Sequence, residues 1–239
     1  MFNKVFYILF FLNSLSFAMA PKLDWGKATE RAIAKYGVPI EPYITNIFEK
    51  AHAHFPPQEI ALLAFKQEQV MELWAKNDKM PWQKVKSYPL TARSGRLGPK
   101  LKENDLQIPE GTYHLTEFNP FSRWHLSIKI DYPNHFDSTH ALQDGRKNLG
   151  YDIFIHGKSA SAGCLAIGDK AINELFLITY RVGLNHTKLI IAPNDLRYES
   201  PATTGFAQPR WLPELYKNIK KELRTFSTFH LTKRYSKPS

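Results

Sequence analysis

The sequence predicts a β-rich domain, mainly β with flanking helices, of sandwich or barrel-like form. Short alternating or apolar segments follow one another closely from about residue 65 to 195, turn signals separate them, and only one clear helical stripe interrupts them. With 239 residues, 43% hydrophobic and 13% aromatic, the chain can bury a core and fits one to two domains.

The elements follow in order. Lys4, the apolar run Val5 to Leu12 and the small-residue-rich end Ser14 to Ala20 have the layout of a secretory signal peptide. Cleavage is expected after Ala18, giving a leader over 1–18; the alternative end at 20 would leave Pro21 directly after the cut. The run falls well short of the roughly 20 apolar residues that span a bilayer, so no stable membrane span is expected after cleavage. Residues 19–65 read as a small helical preface. Asp24 is a candidate N-cap, Trp25, Ala28, Ala32 and Tyr36 recur at helical spacing, and Tyr43, Ile44, Ile47, Phe48 and Ala51 form a second stretch before Pro56-Pro57.

The β-rich domain is expected over 66–195. Gln69 to Ala75 and Val85 to Thr91 flank the polar Asn77-Asp78-Lys79 as a hairpin, and Thr112 to Phe118 is a further strand. Arg123 to Tyr132 alternates most clearly, with Trp124, Leu126, Ile128, Ile130 and Tyr132 on the core face. Tyr151 to Ile155 and Leu189 to Ala192 are of buried-strand type, and between them a helix starts near Asp169, carries Ile172, Leu175, Phe176 and Thr179, and ends near Gly183. Residues 196–239 form a basic tail with a helix over Trp211 to Phe229.

Charge and cysteine count narrow the function. A formal +10, from 32 Lys plus Arg against 22 Asp plus Glu, attracts anionic surfaces. With an exported leader and no nucleic-acid-binding motif, an envelope surface is expected and nucleic acid is not. One cysteine excludes an internal disulfide and a Cys-based metal centre. In an oxidising compartment it is either buried inertly or used.

Residues 153–169 favour use. An apolar strand runs into His156-Gly157, a loop of small residues follows, and Gly163-Cys164 precedes the helix. A thiol needs a base or a positive neighbour to react at neutral pH, and His156, eight residues away across a loop, can fold back onto it. Glycines permit tight turns, and a glycine before a nucleophile lets backbone N–H groups converge on a developing oxyanion. Acyl transfer through a thioester is the implied reaction. Cys164 as a core filler, with His156 merely ending a strand, is the competing reading of the same residues.

The His-Gly…Ser-X-Gly-Cys pattern resembles the signature of the L,D-transpeptidase catalytic domain (YkuD-like) family, in its short-spaced, YafK-like branch. Ser94 to Lys100, Asn104 to Tyr113, Asn119 to Ser122 and Tyr132 to Asn134 extend the resemblance over about residues 67 to 195. It implies a peptidoglycan-remodelling enzyme of the periplasm or cell envelope. Cys164 would be the nucleophile on the third stem residue, meso-diaminopimelate, and His156 the general base and acid. The Gly157 carbonyl would orient the imidazole, Ser161 would support the loop, and the Gly163 amide, with that of Cys164, would form the oxyanion hole.

The resemblance implies stem peptides as partners, and a wall-anchored lipoprotein as another, with no metal and no cofactor. Most members carry His where this chain has Ala162, which opens the acceptor to an amine, to water in an L,D-carboxypeptidase, or to a crosslink-cleaving amidase. Arg93 and Arg96 on a turn and His135 in a loop are candidates for substrate binding. A non-catalytic wall-binding module is the alternative of another class; it would need neither Cys164 nor His156.

Overall fold

In the computed structural model, residues 24–202 and 208–226 are described; the leader expected over 1–18 and the end of the basic tail lie outside them. Eight strands form one sheet in the order β3-β2-β1-β8-β4-β5-β6-β7. They are β1 (Glu59–Phe65), β2 (Val70–Lys76), β3 (Gln83–Pro89), β4 (Gly111–Asn119), β5 (Ser127–Ile130), β6 (Phe154–His156), β7 (Leu165–Ala166) and β8 (Thr187–Ala192). The pairs β1·β8 and β6·β7 are parallel, and the remaining pairs are antiparallel. At β4 the register shifts between Leu115 and Glu117, a bulge that re-aims the β5-β6-β7 half of the sheet.

Helices cover both faces of the sheet at β1, which explains why that strand is apolar on both sides rather than alternating. From β1, Ile60, Leu62 and Ala64 join a core with Ile44 and Phe48 of α2 (Glu41–Lys50) and Ile172, Leu175 and Phe176 of α4 (Asp169–Val182). Ala61, Leu63 and Phe65 face the other way, onto Leu212, Leu215, Ile219 and Leu223 of α5 (Leu212–Leu223). Its charged residues Lys217, Lys221 and Arg224 stay exposed.

The β-rich class with flanking helices is observed, and several elements differ from expectation. The expected boundary at 65/66 falls at the end of β1, a central strand, and the helical preface shares its core. Asp24 caps α1 (Trp25–Ala32) by accepting from the Lys27 amide at 3.0 Å, yet the chain runs on through a π turn to Gly37 and a 3-10 turn over Val38–Ile40 before α2. β5 begins only at Ser127; Trp124 and His125 lie in a turn, with His125 at φ +78°. Ser127, expected wet, is buried because β5 is an interior strand. The loop expected to hold His135 contains a helix, α3 (His135–Gln143), started by an Asn134–Asp137 capping box.

One buried ion pair ties this frame to the long β3–β4 connection. Lys66, directly after β1, donates to the carbonyls of Gly98 and Ile108, both at 2.9 Å, and pairs with Glu110 Oε1 at 3.0 Å. Glu110 also accepts from the Gly98 amide at 2.7 Å and the Tyr216 hydroxyl at 2.9 Å. Side-chain exposure of 4% and 0% leaves no water to replace a lost partner. Removing one member of such a pair costs about 3–5 kcal/mol, against roughly 0–1 kcal/mol for a surface pair. Lys66→Ala should therefore lower the unfolding free energy in urea by about 3–5 kcal/mol. Lys76→Ala, which breaks the partly exposed Lys76–Glu59 pair, should cost under about 1 kcal/mol. Equal losses would contradict the role given to Lys66.

Candidate active site

The parallel pairing of β6 with β7 sets His156 opposite Ala166. Cys164 directly precedes β7, so this pairing brings the cysteine's segment alongside the strand that ends in His156. The two expected chemical groups are brought to one edge of the sheet.

His156 is buried and held by two neighbours. Its Nδ1 lies 2.6 Å from the Gly157 carbonyl oxygen. A carbonyl only accepts, so Nδ1 carries the proton and the neutral ring keeps its lone pair on Nε2. Trp124 stacks on the imidazole at 5.4 Å and 30°. Gly157 has no room for a side chain: a Cβ would meet Asp169 Oδ1 at 2.5 Å and the Trp124 carbonyl at 2.8 Å.

Cys164 is half-buried, and its sulfur lies 3.9 Å from the Asp152 carbonyl. Burial pushes the thiol above its ordinary range; a backbone hydrogen bond at Phe154 and the Lys100 ammonium oppose that shift, and Asp152 adds to it. Burial holds the His156 imidazole below its ordinary value, opposed by the Gly157 carbonyl. Both shifts favour the uncharged forms. These directions suit a thiol that gives up its proton to a base as sulfur attacks better than a stored thiolate–imidazolium pair.

The small-residue loop is stitched by hydroxyls. Ser161 donates to the Cys164 carbonyl at 2.7 Å and lies 2.8 Å from the Ser94 hydroxyl. The Gly163 amide, expected to face an oxyanion, instead donates to Ser94 Oγ at 2.9 Å, with Ser161 Oγ at 3.3 Å, because both hydroxyls sit on its side of the loop. The adjacent amide of Cys164 is the remaining candidate donor. Ser94 was missed as a site residue, although it opens the Ser94-Gly95 turn of the quoted motif.

Arg93 and Arg96 flank Ser94 with exposed side chains and so come near the cysteine loop; the Arg96 amide donates to Gln107 Oε1 at 2.7 Å. His135 does not join them: it is exposed on the first turn of α3, a helix that packs on α5's end through Phe136 and His140 against Trp211. Lys100 is buried, donating to Asp105 at 2.6 Å and the Lys102 carbonyl at 3.0 Å.

The profile of the L,D-transpeptidase catalytic domain (YkuD) matches residues 60–191. The Escherichia coli K12 protein named "Putative L,D-transpeptidase YafK" is 34% identical over 114 residues, which cover 47% of this chain and 44% of that protein. The chain thus spans less than half the length of the curated relative it matches. Among solved structures, the helical cell shape determining protein Pgp2 of Campylobacter jejuni aligns at 17% identity and a TM-score of 0.47, over 69% of this chain and 57% of its own. Bd1075 of Bdellovibrio bacteriovorus aligns at 21% and 0.43, over 71% and 55%.

The neutral pair has a measurable signature. Alkylation of Cys164 by iodoacetamide should rise with pH to a half-point above the ~8.5 of a free thiol, because only the thiolate reacts. A half-point below about 7 would instead reveal a preformed ion pair.

Proposed function

Because the chain belongs to the L,D-transpeptidase catalytic domain family, we propose that it is a peptidoglycan-remodelling cysteine L,D-transpeptidase that joins stem peptides through a Cys164 thioester. The observation that supports this reading is that the chain's one cysteine directly precedes β7, the strand paired with β6, and β6 ends in a histidine whose tautomer leaves Nε2 as the acceptor.

In the proposed cycle, Cys164 sulfur attacks the carbonyl carbon of the third stem residue, meso-diaminopimelate, as its proton passes to His156 Nε2. The oxyanion forms against the Cys164 amide, while Gly157 and Ser161 act by orientation: one holds the imidazole, the other the cysteine loop. Collapse breaks the bond to the terminal D-alanine, whose amine takes the proton from His156, and leaves the thioester. An acceptor amine then attacks that carbonyl, gives a proton to His156, and the thiolate leaves and is reprotonated. No metal or cofactor takes part.

Arg93 and Arg96 would meet stem-peptide carboxylates by charge-assisted hydrogen bonds. Residues 1–18 are proposed as a cleaved leader delivering the chain to the periplasm, with the basic residues favouring the anionic envelope. The functional domain is taken as β1 through β8 with its helices, and the wall-anchored lipoprotein as an alternative amide substrate.

The acceptor decides the outcome, and Ala162, lacking the second imidazole common in the family, leaves water as a competitor. Digestion of tetrapeptide-rich sacculi with the full chain, followed by mass spectrometry of muropeptides, should give new crosslinks. They should vanish in Cys164→Ala and fall by about 10²-fold or more in His156→Ala, the usual scale of general acid–base catalysis. Tripeptides without crosslinks would replace this reading with an L,D-carboxypeptidase, and loss of existing crosslinks with an amidase. Unchanged muropeptides would support a non-catalytic wall-binding module.

A further inference from the structure

The hydroxyls around Cys164 form a chain whose protons can all be assigned. Ser161 has one proton, and the 2.7 Å contact with the Cys164 carbonyl uses it, since a carbonyl only accepts. The 2.8 Å contact between the hydroxyls must therefore be donated by Ser94. Ser94 Oγ in turn accepts from the Gly163 amide at 2.9 Å. The chain runs one way, from the Gly163 N–H through Ser94 and Ser161 to the Cys164 C=O.

Its two ends bracket a single peptide unit. The Gly163 N–H lies just before the Gly163–Cys164 peptide and the Cys164 C=O just after it, and this peptide carries the Cys164 N–H. Gly163 supplies the bend, at φ +109°, with the Gln107 carbonyl 3.0 Å from where a Cβ would stand. Without Ser94, the Gly163 amide and the Ser161 oxygen both lose their partner from the opposite loop.

We propose that Ser94 is a positioning residue of the acyl-transfer site, aiming the Cys164 amide and thiol together at a reacting carbonyl. This rests on the reading of Cys164 as nucleophile. Ser94 reaches Cys164 through Ser161 and Gly163 and need not touch the reacting carbon. The loop bearing it is fixed by the buried Lys66–Glu110 pair through Gly98 and Ile108, so the nucleophile's geometry is set from two sides of the cleft.

Two reagents separate positioning from reactivity. p-Nitrophenyl acetate acylates the thiol through an oxyanion, displacing nitrophenolate, whereas iodoacetamide alkylates it at saturated carbon with iodide leaving and no oxyanion. In the full chain, Ser94→Ala should slow the nitrophenolate burst by about tenfold or more, short of the 10²–10³ lost with a direct oxyanion donor. Alkylation should stay within about twofold, since the thiolate itself is unaltered. Ser94→Thr, which keeps the hydroxyl, should restore most of the burst.

Wild-type acylation by Ser94→Ala would overturn the proposal. Parallel loss of acylation and alkylation would also overturn it, showing a general disturbance of the thiol. A wild-type chain inert to both reagents would overturn the nucleophile reading beneath it, and this inference with it.

Discussion

The buried ammonium of Lys66 is the constraint on which the functional half of the molecule depends. A charge in that position must be fully bonded, and the partners that satisfy it are the Gly98 and Ile108 carbonyls and the Glu110 carboxylate. Those partners belong to the β3–β4 connection, a stretch with no regular structure of its own to hold it. Satisfying one charge therefore fixes the path of the segment that carries Ser94, Lys100 and Gln107. Glu110 adds the Tyr216 hydroxyl, so α5 is locked to the same point.

From that anchor the site is assembled by two independent routes. One is backbone pairing: parallel β6 and β7 bring the strand that ends in His156 alongside the segment that follows Cys164, and the Gly157 carbonyl selects the tautomer. The other is the hydroxyl chain from the anchored connection, which grips the Gly163–Cys164 peptide. Burial disfavours the charged form of both side chains. A thiol also resists stray oxidation better than a standing thiolate, which suits a lone cysteine.

The sequence made some of this legible for clear physical reasons. The hairpin, β4, β8 and α4 were readable because turn residues and period agree there. Asp24 was readable as a cap, and His156 and Cys164 as chemistry. β1 was not: covered on both faces, it reads as a short apolar run with no period to separate strand from helix. α3 lacks a clear apolar stripe, and only Asn134 three residues before Asp137 announces it. Arg123 to Leu126 kept the strand alternation into what is a turn, because Trp124 is held by the His156 ring rather than by a ladder. Lys66 and Glu110 gave no signal at all, since a charged residue in sequence is read as solvated until its partner is seen. Gly163 was assigned a donor role that its amide has already given to Ser94.

The central claim is that Cys164 carries the stem peptide as a thioester. The most direct measurement is acid quenching of the full chain during incubation with a tetrapeptide muropeptide, followed by peptide mapping by mass spectrometry. The account predicts an adduct on the Cys164 peptide equal to the acyl tripeptide, with D-alanine lost. Product formed without that adduct, and equally by Cys164→Ala, would contradict it.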